Sequence, residues 1–90
     1  MVRSHEILPD LQKLLHKLSK KDTVLYAQAL NKMEEVIANQ DIDHYKNLRY
    51  RLKEYKRVHA GSFVLIFQYI PSEDKIIFTD FDHHDKIYRV

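Results

Sequence analysis

Ninety residues, 44% hydrophobic and 31% charged, make a single domain over 1–90, and a chain this short buries only about 60–65% of its unfolded surface. It lacks cysteine, which excludes a disulfide scaffold, a thiolate zinc site and a Cys nucleophile. No apolar run nears the ~20 residues that cross a bilayer and no signal peptide opens the chain, so a cytoplasmic protein without a membrane partner is expected.

Val2–Ile7 reads as a brief edge strand. Pro9 suits the first turn of a helix, where its missing N–H is not needed. Leu8, Leu11, Leu14, Leu15 and Leu18 follow at helical spacing with lysines and His16 between them. Ser19-Lys20-Lys21-Asp22 breaks that pattern as a connector of about four residues, with Asp22 or Thr23 capping a second helix. The second helix buries Tyr26, Leu30, Met33 and Ile37 and completes an αα-hairpin. Asn39–Asn47 is a polar connector and Leu48–Lys53 a basic stretch.

A β-hairpin follows. Tyr55, Arg57 and His59 alternate with Lys56, Val58 and Ala60, so the two sets face opposite sides of a strand. Val58 is the natural core-facing residue, which turns Arg57 and His59 outward. Gly61, the only glycine, marks the turn. Phe63–Ile70 is apolar at nearly every position, as in a strand buried on both faces. Pro71–Asp74 turns into a third strand, Lys75–Phe81, whose alternation puts Ile76, Phe78 and Asp80 on one face. The tail from Asp82 carries one helical turn. The layout is α+β, (β)ααβββ: an N-terminal αα-hairpin packed on a small antiparallel sheet, with one sheet face partly open.

The net charge of +2 is unevenly spread, with six bases against one acid between Lys46 and Arg57. Tyr45, Tyr50 and Tyr55 interleave with this stripe. Phenols stack on bases while cations hold phosphates, so Lys46, Arg49, Arg51 and Lys56 are candidate RNA contacts. An aggregation-blocking sheet edge is the bland reading of the same stripe. Six histidines are present. Isolated exposed histidines usually do nothing; the set is what suggests chemistry. Cleaving RNA through its own 2′-OH needs a base, an acid and a cation for the phosphorane charge. His59, His84 and Arg57 would supply them if the tail folds beside the hairpin. Asp80–Asp85 offers metal-ligand types, but adjacent strand residues point apart and no ligand spacing is present, so no metal site is expected.

His44-Tyr45-Lys46-Asn47-Leu48, Lys56-Arg57-Val58-His59 before Phe63–Phe67, and His83-His84-Asp85-Lys86-Ile87-Tyr88 together resemble the RelE/ParE superfamily of type II toxins. The RelE/StbE, YafQ-like branch is the nearest. The resemblance spans essentially the whole chain and implies an mRNA endonuclease, acting on the ribosome or free, restrained by a cognate antitoxin and needing no cofactor. By this resemblance His84 matches the C-terminal catalytic histidine, Tyr88 its aromatic partner and His59 the histidine closing the first hairpin arm. His44 falls near another family histidine, in a connector two residues longer. Phe63 stands where the branch has tryptophan and joins the candidate RNA contacts. Ser62 replaces an acid of that branch, and Val64 stands where RelE itself has a catalytic arginine, so activity here would lean on histidines. The alternatives are a non-catalytic ParE-like toxin that binds DNA gyrase and a decayed toxin that only binds antitoxin.

Overall fold

The computed structural model describes residues 3–48 and 54–87. A short strand, β1 (Ser4–Ile7), leads into α1 (Pro9–Lys21) and α2 (Thr23–Ala38). After a 3₁₀ turn at Ile42–His44 come β2 (Lys56–Ala60), β3 (Phe63–Ile70), β4 (Lys75–His83) and one helical turn, α3 (His84–Ile87). The sheet order is β1-β4-β3-β2. Its three long strands form the antiparallel meander, and β1 joins the far edge parallel to β4, making the sheet mixed.

The helical hairpin is tighter than the sequence pattern suggests. Ser19 stays helical, its hydroxyl donating to the His16 carbonyl at 2.6 Å. Lys20 and Lys21 occupy the last turn, where cations favour the carbonyl end of the helix dipole. Only Asp22 separates the helices, and its carboxylate caps α2 by accepting from the Leu25 N–H at 3.1 Å. Leu11 and Leu15 of α1 and Ala29, Met33 and Val36 of α2 meet Leu65, Phe67, Ile76, Phe78 and Phe81 in one core on the helix side of the sheet.

β4 does not keep simple alternation. Ile66 pairs with Asp80 but Phe67 pairs with Phe78, so Thr79 is the extra residue of a β-bulge. The Thr79 hydroxyl donates to the Ile66 carbonyl at 3.1 Å. The bulge resets parity: Phe78 and Phe81 both enter the helix-side core, while Asp80 faces the other way. The expectation that Phe78 and Asp80 share a face is thereby corrected.

The opposite face carries a smaller apolar cluster. Val64 and Ile66 are buried there under Leu48, with Tyr55 and Ile87 packed against them. The chain from Lys46 to Leu48 lies along the start of β2. Leu48 N–H donates to the Tyr55 carbonyl at 2.8 Å and Arg57 N–H to the Lys46 carbonyl at 3.0 Å, so this stretch protects part of the sheet edge.

Candidate functional site

Register alone lays out the open face. Arg57 pairs with Ile66 and Ile66 with Asp80; His59 pairs with Val64 and Val64 with Asp82. Paired residues in a sheet point to the same side, so two rows run across this face. Each has a basic or imidazole group on β2, a buried aliphatic on β3 and a carboxylate on β4. Two strand spacings separate the ends of a row, roughly 10 Å. Val58 sits in the helix-side core, leaving Arg57 and His59 on the open side, with His59 exposed.

The hairpin turn fixes one end of these rows. Gly61 sits at φ +63°, a left-handed conformation that residues with a Cβ rarely adopt. Beyond it, Ala60 pairs with Phe63 and Phe63 with His83. His84 N–H donates to the Ser62 carbonyl at 3.0 Å. Phe63 stacks on Phe81 with ring centroids 5.2 Å apart and meets His83 edge-on at 5.7 Å. The tail therefore turns at the hairpin end. His59 on the open face and Phe63 and His83 on the helix side all lie at this end of the sheet, with His84 next in the chain; α3 then seats Ile87 against Val64 and Ile66 on the open face. Beside it lies a groove of about 400 Å³ bounded by Leu48, Tyr55, Ile66, Asp80, Lys86 and Ile87. Partial desolvation beside this groove pushes the carboxyl of the otherwise exposed Asp80 above the usual range; the Phe81 N–H opposes that shift, and the Asp82 charge adds to it.

Other candidates fall elsewhere. Lys56 faces the helix side and is buried; its ammonium donates to the Tyr45 carbonyl at 3.2 Å and to Asn47 Oδ1 at 3.0 Å. It is a structural lysine and is corrected from the RNA-contact set. His44 lies in the 3₁₀ turn, its ring 5.6 Å from that of Tyr45, which packs on Phe67 in the helix-side core. It is thus on the other side of the sheet from Arg57 and His59. Lys46 is exposed beside β2. Arg49, Arg51 and Tyr88 lie outside the described residues.

The sequence reading missed the closeness of His83, His84 and Asp85. Alternation would separate them only if β4 continued, and the strand ends at His83. Asp80 and Asp82 share the open face with Arg57 and His59, and the Thr79 bulge that orients Asp80 leaves no clear sequence signal.

No family model matches the chain. Among solved structures, it superposes on the archaeal RelE–RelB complex from Pyrococcus horikoshii OT3 with a TM-score of 0.68 at 15% identity, covering 100% of both chains. The toxin–antitoxin complex RelBE2 from Mycobacterium tuberculosis gives the same TM-score at 16% identity, over 93% of this chain and 100% of that one. The architecture is the RelE-like toxin fold. Sequence takes the assignment further: a Methanocaldococcus jannaschii protein bearing the toxin name RelE4 is 51% identical over 85 residues, 93% of this chain and 88% of the relative. The chain belongs to the RelE family of toxins.

Proposed function

We propose that this toxin is an mRNA endonuclease that cuts translated messages on the ribosome and is held inactive by a cognate antitoxin bound over the open face. The observation that carries this reading is the return of the tail at the hairpin end, which sets His84 at the same end of the sheet as His59, with Arg57 farther along that strand. In the proposed reaction one histidine takes the proton of the 2′-hydroxyl as that oxygen bonds to phosphorus. The other protonates the departing 5′-oxygen as its bond to phosphorus breaks. The products are a 2′,3′-cyclic phosphate and a 5′-hydroxyl. Arg57 holds the phosphate and offsets the charge gained on its oxygens. Lys46 adds phosphate attraction; Phe63, stacked on Phe81 in the helix-side core, stands on the other face from Arg57 and His59 and is set apart from the base contacts. The substrate's own hydroxyl is the nucleophile, so none of these steps calls for a cofactor.

Val64 is fully buried beneath the α3 side of the face and offers no charge to this site. Among the described residues on this face, Arg57 is the cation placed to meet the phosphate charge. An antitoxin partner accords with the two complexes above, in which RelE-fold toxins are bound to antitoxins. A helix or extended arm laid along the groove would cover Asp80 and Lys86 and compete with substrate.

The test is induction of toxin variants without antitoxin. His59→Ala and His84→Ala should each relieve growth arrest by at least about 100-fold in surviving colonies, since acid–base groups contribute ~10²–10⁴ in rate. Both should still fold and bind antitoxin. If both variants stay fully toxic, the histidine assignment is wrong and a non-catalytic toxin is favoured.

A further inference from the structure

We infer that His83, His84 and Asp85 form a binding site for one divalent transition-metal ion of the nickel–copper–zinc group. The inference shares His84 with the proposed nuclease site, but it concerns binding alone and is read by metal titration rather than by cleavage. One donor atom from each of the three side chains lies within 4.8 Å of the others. His84 Nδ1 is 2.9 Å from Asp85 Oδ1, and His83 Nδ1 is 3.6 Å from Asp85 Oδ2. An ion with ligand bonds near 2.0–2.2 Å needs donors roughly 3.0–3.5 Å apart. The two carboxylate spacings lie on either side of that window, through different oxygens of Asp85, and the three donors as a set fall within 4.8 Å, so side-chain rotation at the exposed imidazoles would close the set around an ion.

The local backbone explains how three consecutive residues converge. β4 ends at His83 and α3 begins at His84, so the chain turns a corner between the two imidazoles. Their ring centroids lie 4.6 Å apart. The Asp85 N–H donates to His83 Nδ1 at 3.2 Å, which occupies that nitrogen's lone pair, so His83 would offer an ion its Nε2 or exchange this bond for the metal. The base of the corner is anchored: His84 N–H bonds to the Ser62 carbonyl, and the His83 ring abuts Phe63. Outer-shell restraint of this kind orients ligands. The three side chains are 38%, 44% and 70% exposed, so an ion can reach them from solvent. Two imidazoles and one carboxylate select the imidazole-preferring end of the first-row series over magnesium or calcium, which prefer all-oxygen sets. Three protein ligands leave at least one position for water.

The experiment is calorimetric titration of the chelator-treated full chain with Zn²⁺, with backbone amide NMR on the same samples. One ion per chain should bind saturably, with the largest amide shifts at 83–85 and Ser62. His83→Ala, His84→Ala and Asp85→Ala should each weaken binding at least about tenfold, because loss of even an outer-shell partner costs 10–100-fold. Asp85→Asn should weaken it likewise, which keeps the test valid if alanine disturbs the short helix. His16→Ala, on the exposed side of α1, should leave binding unchanged. Absence of saturable one-to-one binding, shifts centred on other histidines, or a loss below tenfold in any folded ligand variant would overturn the assignment.

Discussion

Lys56 shows how one side chain can carry charge without serving the site. Its ammonium is spent on the Tyr45 carbonyl and Asn47, with the Asp43 carboxylate at 3.8 Å. It thereby ties the connector to the first residue of β2. Lys56→Met should lower stability by about 1–3 kcal/mol in urea unfolding, since buried acceptors lose a charged donor, and growth arrest should persist wherever the variant folds. Asp80 acts in the opposite sense. Its carboxyl is raised in the folded state, so the ionised form is disfavoured there. Stability is then greatest below the ordinary carboxylate range and falls as pH rises through the folded value. Asp80→Asn should raise Tm at pH 7 and lose that advantage toward pH 3, the gain being kept small by solvent screening of this exposed carboxylate. Glu35 runs the other way: the Tyr45 hydroxyl, donating at 2.8 Å, holds its carboxyl below the usual range. The stability it contributes is present above that range and lost as pH falls through the lowered value.

Among the elements, the β2–β3 hairpin does most to place the candidate groups, because its turn brings Ser62 to the backbone of His84. A Cβ at Gly61 would meet only Gln28 Oε1 at 3.9 Å, so backbone conformation, not crowding, sets the cost there. Gly61→Ala should destabilise by about 1–2 kcal/mol, and Gly61→Asn by less, since asparagine tolerates the left-handed region; urea midpoints separate the two. Both helices and the hairpin are legible in the sequence because leucine spacing and strand alternation report burial directly. The direction in which Arg57 and His59 face follows from Val58 by the same rule. Three features resist that reading. The Thr79 bulge changes parity without a glycine or proline to mark it. Lys56 looks like a surface base until its acceptors, nine and eleven residues away, are in place. The His83–Asp85 cluster depends on the residue at which a strand stops.

At the scale of the whole molecule, the sheet divides labour between its faces. The helix side holds the larger core and supplies rigidity; the other side holds a small apolar cluster, the two rows from β2 to β4 and the groove beside α3. The larger core and the proposed site thus lie on opposite faces of the same strands, and α3 joins the hairpin end to the open face. No helix among the described residues is long and apolar enough to cross a membrane. The proposed cleavage of RNA on this open face is decided by mapping RNA 5′ ends in cells expressing the chain without antitoxin. Discrete new 5′-hydroxyl ends are expected from this cleavage inside translated messages, absent when His84→Ala is expressed at the same level. Growth arrest with intact messages would contradict it and point to a toxin that acts by binding a protein; so would new ends that persist undiminished in both His59→Ala and His84→Ala.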